Sequence, residues 1–210
     1  GVLFLDELPH FRASAIDLLR EPLESGVAVI ARARYKVRYP CKFQLIAAMN
    51  PCPAGRVCSE TSCRCAPNQV QRYQSRISGP LLDRIDLQVR VPQLKHETLT
   101  RLEQQADRAQ SIDSLRDQVR AARLRQEHRQ GHTNNWLAAK QLRHEMTAAG
   151  LSQDFLTQAL QQFQLSARSY HKVCRIARTI ADLEAQEKIS QSHMVEALGF
   201  RSLPWDQGLK

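Results

Sequence analysis

At 210 residues, with 42% apolar and 24% charged side chains, the chain has room for one sizeable core or two smaller ones and the composition of an ordinary globular protein. Its longest apolar runs, such as Val27 to Ala31 and Leu45 to Met49, fall far short of the roughly 18 residues that a membrane helix needs. The formal charge of +9 points towards polyanions, nucleic acid or nucleotide phosphates, without choosing between them.

The first stretch, Gly1-Val2-Leu3-Phe4-Leu5-Asp6-Glu7, is four apolar residues followed by two carboxylates. With no polar face at period two, it predicts a strand buried on both sides within a parallel sheet. The C-terminal ends of such strands face the crevice where ligands sit, and an acidic pair there suits Mg²⁺ binding by one carboxylate and orientation of a water by the other. A buried strand running into a polar loop is the plainer reading. The sequence opens at Gly1 in mid-strand, which suggests a piece of a longer chain. Nothing in it resembles a signal peptide, so a cytoplasmic location is expected.

Phe11, Ala15, Leu18, Leu19 and Pro22-Leu23 follow a helical stripe that stops at Ser25-Gly26. From Val27 to Tyr39 the period becomes two. Arg32, Arg34, Lys36 and Arg38 then share one face, opposite Ala31, Ala33, Tyr35, Val37 and Tyr39. Such a basic comb either protects an edge strand or, as a hairpin, presents cations to phosphates. Phe43 to Met49 predicts a second buried strand, ending at Asn50-Pro51.

Residues 51 to 75 read as loop, and Cys52, Cys58, Cys63 and Cys65 fall within it. Without a secretory signal, such a cluster favours metal ligation or reduced thiols over disulfides. Four thiolates would make a closed tetrahedral Zn²⁺ site, although Cys-x-Cys is tighter than the usual Cys-x₂-Cys. Cys41 and Cys174 read as small buried apolar residues. Ser78-Gly79-Pro80 leads into Leu81-Leu82-Asp83-Arg84-Ile85-Asp86, and Leu87 to Val91 predicts a third strand ending at Pro92. The domain boundary is drawn there, giving units 1–92 and 93–210.

The remainder is polar and helical. Leu115 to Arg129 carries Arg116, Arg120 and Arg123 along one face, a pattern that is usually just solvated. Three later helices begin with a Ser cap behind an apolar residue placed to staple: Leu151-Ser152 with Leu156, Leu165-Ser166 with Tyr170, and Ile189-Ser190 with Met194. Stripes of Phe155, Leu156, Ala159, Leu160 and Phe163, and of Tyr170, Val173, Cys174, Ala177, Ile180 and Ala181, predict a helical bundle with its own core.

Taken in order, the strand ending Asp6-Glu7, the strand ending Asn50, the Ser78 to Asp86 segment and the Ser166-Ala167-Arg168 helix start resemble the AAA+ ATPases. The likeness is closest to the magnesium-chelatase-like branch and its ComM (competence protein) family. The resemblance implies an α/β fold: the C-terminal part of a P-loop AAA+ parallel-sheet domain, followed by an all-α helical lid. Gly1 to Glu7 resembles the Walker B strand, with Asp6 helping to hold Mg²⁺ and Glu7 polarising the attacking water. Asn50 matches sensor 1, its plainer reading being a turn residue before proline. Arg84 resembles an arginine finger that enters a neighbouring subunit's site, against the alternative of a structural pair with Asp83 or Asp86. Arg168 resembles the sensor 2 arginine, and in the first turn of a helix the macrodipole gives it no benefit.

The comb falls where this branch carries an insert and hairpin projecting towards a central pore. Relatives often show Cys-Pro-Cys-Gly, where this sequence has Cys52-Pro53-Ala54-Gly55. The resemblance implies ATP and Mg²⁺ as cofactors, a hexameric ring, and single-stranded or branched DNA as substrate in transformation and recombination, with no membrane partner. No Gly-x-x-x-x-Gly-Lys-[Ser/Thr] occurs in the sequence. These residues alone are therefore expected to bind ATP poorly and not to hydrolyse it. The competing functions are a chelatase motor subunit that drives metal insertion through a protein partner, and a nucleic-acid-binding module with a degenerate ATPase half.

Overall fold

The computed structural model describes residues 1–32, 35–55, 63–91, 111–163 and 165–201. Arg34, Cys58 and the boundary expected at residue 92 lie outside them. The chain divides into two compact units, Gly1–Ile85 and Asp86–Lys210.

In the first unit, β1 (Val2–Leu5) pairs in parallel with β4 (Gln44–Ala47), Leu5 standing opposite Ala47. Between them come α1 (Ala13–Asp17), α2 (Arg20–Ser25) and an antiparallel hairpin of β2 (Val27–Arg32) and β3 (Tyr35–Pro40). The single helix expected over this stretch is two. Pro22 has no N–H with which to continue a ladder from α1, and it is tolerated in the first turn of α2. Gly26 ends α2 at φ +69, and a Cβ there would lie 3.2 Å from Lys42 Cγ, so glycine suits the turn twice over. Helices α3 (Pro67–Gln74) and α4 (Gly79–Leu82) complete the unit. Its core is small: Leu8, Ile16, Ile77 and Leu81, with Leu5, Leu23, Met49 and Leu82 packed against them.

Further expectations change here, besides α3 forming within the stretch 51–75 expected to be loop. The strands β1 and β4 are not buried on both faces, because Val2, Phe4 and Ile46 lie open to solvent while Leu3, Leu5 and Leu45 are half-buried. The all-apolar pattern that predicted double burial is thus met on one side only, in a sheet of two strands among the described residues. Nor do Leu87 to Val91 form a strand. Leu87, Val89 and Val91 are exposed, and the Gln88 N–H bonds the carbonyl of Phe200 at 2.8 Å instead of a strand neighbour.

The second unit is helical. It contains α5 (Ile112–Gln130), α6 (Ala139–Ala149), α7 (Gln153–Gln162), α8 (Ala167–Leu183) and α9 (Gln191–Gly199). The three expected caps form: Ser152, Ser166 and Ser190 accept from the N–H groups of Phe155, Ser169 and His193. Both members of each expected staple belong to the core or pack on it. Helix α8 is central, with Val173, Cys174, Ala177 and Ala181 fully buried against residues such as Leu137, Leu142, Met194 and Leu198. Burial pushes the Cys174 thiol up to about 11, with its neighbours Tyr170 and Arg175 opposing, as expected of an inert core cysteine. Cys41 is only partly buried.

Candidate functional site

The parallel pairing of β1 and β4 brings Asp6, Glu7 and Asn50 to the same end of the sheet. Past the last paired residues, the Ala48 N–H bonds Leu5 O at 2.9 Å and the Leu8 N–H bonds Ala48 O at 3.0 Å, so the two strand exits stay stitched together. The Glu7 N–H donates to Asp6 Oδ1 at 2.9 Å and fixes that carboxylate. Glu7 itself sits in the left-handed region, at φ 49 and ψ 48. For a non-glycine residue this conformation is strained by about 1–2 kcal/mol. It turns the chain sharply out of the sheet, and the side chain stays exposed beside Asn50's loop.

Sequence reasoning missed the helix that packs against both strand exits of this site. Tyr73 on α3 is buried and its phenol accepts the Asn50 main-chain N–H, within reach of the Glu7 charge. Burial pushes the phenol above its ordinary value, the Asn50 bond opposes this, and the negative charge of Glu7 adds to it. The His10 ring packs edge-on against Tyr73 with centroids 6.0 Å apart. Arg76 Nη1 donates to Pro9 O at 3.1 Å, and Gln74 Nε2 donates to Pro51 O at 2.9 Å. Helix α3 therefore clasps both strand exits. The one sequence signal was that Val70 and Tyr73, three apart, are the only large apolar residues in an otherwise polar helix.

The site suits the chemistry of its residues. An oriented, exposed carboxylate is a hard oxygen donor of the kind Mg²⁺ takes, which fits Asp6. The Glu7 carboxylate has the chemistry to accept a proton, and the Asn50 side-chain amide has the chemistry to donate to an anionic oxygen.

Arg84 is held apart from them. Its Nη2 lies 2.8 Å from Glu24 Oε2 and its Nη1 donates to Pro80 O at 2.6 Å. The guanidinium thus pairs with Glu24, sixty residues earlier, in a cleft also lined by Asp17 and Glu21. Asp86 instead pairs with Lys172 at 2.7 Å. Arg168 stands exposed in the first turn of α8, in the second unit.

The hairpin departs from the expected comb. In its register Ala31 faces Lys36 and Val29 faces Arg38, whereas Arg32 faces Tyr35 and Ile30 faces Val37. Partners across an antiparallel pair share a face, and here they have opposite parity, so the reversal after Arg32 moves that residue to the other side. Lys36 and Arg38 share one face with Val29 and Ala31. Arg32 shares the other with Tyr35, Val37 and Tyr39, and the residues Tyr35 and Tyr39 are 74% and 51% exposed. The hairpin has one basic face and one aromatic face with a single described cation.

In the cysteine loop, the sulfurs of Cys52, Cys63 and Cys65 lie within 4.8 Å of one another. Cys52 is buried, Cys65 half-buried and Cys63 exposed. Along α5, Arg116 and Arg120 make only exposed i,i+3 pairs with Asp113 and Asp117, at 3.0 and 3.9 Å, in keeping with a solvated face.

Comparison with known proteins follows the same division. Residues 1–99 match the family model described as magnesium chelatase, subunit ChlI, and residues 109–201 match that of the ChlI C-terminal part. The chain is 42% identical over 203 residues to the competence protein ComM of Haemophilus influenzae, covering 97% of this chain and 39% of that protein. It is 39% identical over 203 residues to the uncharacterized protein YifB of Escherichia coli, again covering 97% and 39%. An uncharacterized protein of Mycobacterium tuberculosis matches at 34% over 205 residues, 96% of this chain and 40% of its own. The chain thus spans about two fifths of the length of these relatives. Among the described residues no helix is long and apolar enough to cross a membrane. With both parts matched in order, and with an α/β unit followed by a helical one, the chain belongs to the magnesium-chelatase-like family of AAA+ ATPases, in its ComM group.

Proposed function

We propose that the whole protein is an ATP-driven motor that acts on DNA, by branch migration or helicase activity in transformation and recombination, and that these residues supply its hydrolytic and DNA-gripping parts. One observation carries the reading: Glu7, in a strained left-handed turn, leaves β1 beside the exit of β4 that leads to Asn50, the two exits being joined by the Leu8 N–H to Ala48 O bond. Strain of that kind persists where surrounding structure holds it, and it collects at working sites.

In this reading Mg²⁺ neutralises the phosphate oxygens of ATP when bound, with Asp6 as its protein ligand. Glu7 takes a proton from the attacking water, and Asn50 donates to that water or to the γ-phosphate. Arg84 serves the neighbouring subunit of a hexameric ring, so assembly requires exchange of its Glu24 pair for the phosphoryl group. Arg168 reports nucleotide state from the helical lid. The protein works in the cytoplasm. Zn²⁺ on the cysteine loop completes the set of cofactors. The exposed Val2–Phe4–Ile46 face and the lack of a phosphate-binding glycine loop in this sequence support a site completed by further chain.

The hairpin favours DNA over a protein substrate. Exposed cations on one face and two exposed tyrosines on the other suit a backbone and its bases. A chelatase-type subunit that inserts metal through a protein partner is the second reading, favoured by the name of the family models.

The test is ATP hydrolysis by the full-length protein with and without single-stranded or branched DNA. DNA is expected to stimulate it. Glu7→Gln is expected to lower it about 10²–10⁴-fold and Arg84→Ala about 10³-fold or more. Hydrolysis retained in both variants would overturn the site, and indifference to DNA would favour the chelatase reading. For the 210 residues alone, micromolar ATP affinity by calorimetry would overturn the claim that further chain completes the site.

A further inference from the structure

The cysteine loop shows more than a metal preference. No strand or α-helix is described between Ala47 and Pro67, yet Cys52 comes together there with Cys63 and Cys65. Sulfurs around a tetrahedral Zn²⁺ lie about 3.8 Å apart, given Zn–S bonds of about 2.3 Å. The spacing of up to 4.8 Å therefore needs side-chain shifts of no more than about 1 Å to close on an ion. Cys63 and Cys65 flank a single residue, too tight for a comfortable disulfide but open to ligation of one ion by both. Burial of Cys52 beside the exposed Cys63 gives a site with one dry side and one open side.

The surroundings connect this site to Asn50. Cys52 is two residues past Asn50. The Gly55 N–H turns back to Cys52 O at 3.2 Å. Gly55 has φ +53, and a Cβ there would lie 3.1 Å from Asn50 Nδ2, so the loop folds directly over the Asn50 amide. On the other side, Cys65 comes two residues before α3, the helix whose Tyr73 and Gln74 hold Asn50 and Pro51.

We propose that Cys52, Cys63 and Cys65 bind Zn²⁺ as thiolates and that the ion latches the Asn50 loop to the start of α3. Among the described residues the site holds three protein sulfurs, and a fourth position remains for water or a further ligand. Binding releases the thiol protons to solvent and involves no redox change. The latch deepens the Zn²⁺ part of the reading above and does not depend on ATP hydrolysis.

The experiment uses the 210-residue chain, with metal content by mass spectrometry, Co²⁺ substitution followed by absorption, and hydrogen exchange at the Asn50 amide. About one Zn²⁺ per chain is expected, with sulfur-to-cobalt charge-transfer bands on substitution. Cys63→Ser, at the exposed ligand, is expected to lower metal content at least tenfold, and Cys41→Ser to leave it unchanged. Removing the metal is expected to speed exchange at Asn50 at least tenfold. Tyr73→Phe should speed that exchange with the metal still bound.

Absence of metal and of charge-transfer bands would overturn the site, as would equal loss in Cys41→Ser. One bound Zn²⁺ with exchange at Asn50 unaltered by its removal would overturn the latch and leave the Zn²⁺ assignment standing. Neither result bears on hydrolysis by the full-length protein, which the separate ATPase measurement reads.

Discussion

In the helical unit, Val173, Cys174, Ala177 and Ala181 on α8 expose no surface, and even the charged Arg178 beside them is fully buried. In the α/β unit, Val2 and Phe4 on β1 expose 64% and 59%, and the candidate catalytic carboxylates stand in solvent at the end of the same strand. The helical unit has closed the faces around α8, although Ile112, Leu115 and Val119 on α5 stay exposed, while the α/β unit keeps an apolar sheet face open beside the candidate site. The stability of the first lies in its interior. The second has a small core under a surface arranged for contact.

The helical interior is tied by charge as well as packing. Arg178 Nη2 bonds Asp182 Oδ1 at 3.1 Å and Gln186 O at 2.6 Å, and its Nη1 reaches Glu187 O at 2.6 Å and Glu145 Oε2 at 3.2 Å. Asp182 also receives Arg129 at 2.6 and 3.0 Å and Asn134 at 2.8 Å. Such a network contributes little net energy while intact and costs much when one member is lost. Arg178→Ala is therefore expected to destabilise the helical unit by about 3–5 kcal/mol, read by urea denaturation. A loss below about 1 kcal/mol would show that this interior is no more closed than a surface and would break the comparison.

A smaller effect is expected of pH. Burial alone would raise the Asp182 carboxyl, but the bonds from Arg129 and Asn134 and the charges of Arg178 and Arg129 outweigh it and hold the group below its ordinary range. A depressed carboxyl stabilises the fold fully above its unfolded value, near 4, and loses that contribution as pH falls through the folded value. Thermal melting of the helical unit is expected to hold down to about pH 5 and to fall below about pH 4. In Asp182→Asn the part of that fall due to this group should vanish. An unchanged acid limb in the variant would assign it elsewhere.

The smallest effect sharpens the comparison from the other side. Phe4→Ser replaces a side chain that is already mostly in water, and it is expected to change the stability of the 210-residue chain by no more than about 0.5 kcal/mol. In the full-length protein the same substitution is expected to cost about 3 kcal/mol or more, because the proposed further chain would cover that face. Equal, small effects in both would refute such a cover.

Much of the fold was legible because its signals are local. The Ser152, Ser166 and Ser190 caps, the stripe on α8 and the strands leading to Asp6-Glu7 and Asn50 each depend on residues within a few positions of one another. The misreadings share a cause too. Leu87 to Val91 alternates like a strand, but alternation does not provide a partner, and its Gln88 bonds Phe200 instead. The basic comb obeyed period two along one strand, and a reversal after Arg32 divided it between two faces.

By itself the sequence determined the order of the motifs, the helix starts, the clustering of cysteines in one loop and the absence of a phosphate-binding glycine loop from these residues. Tertiary structure alone decided that Glu7 takes a left-handed turn, that Tyr73 is buried beside Asn50, that Glu24 holds Arg84, and that Cys52 meets Cys63 and Cys65. The physical reason is separation along the chain. A cap or an amphipathic stripe is a contest among neighbours that their side chains settle, whereas the Glu24–Arg84 pair spans sixty residues and exists only once the packing of the core has brought both ends together.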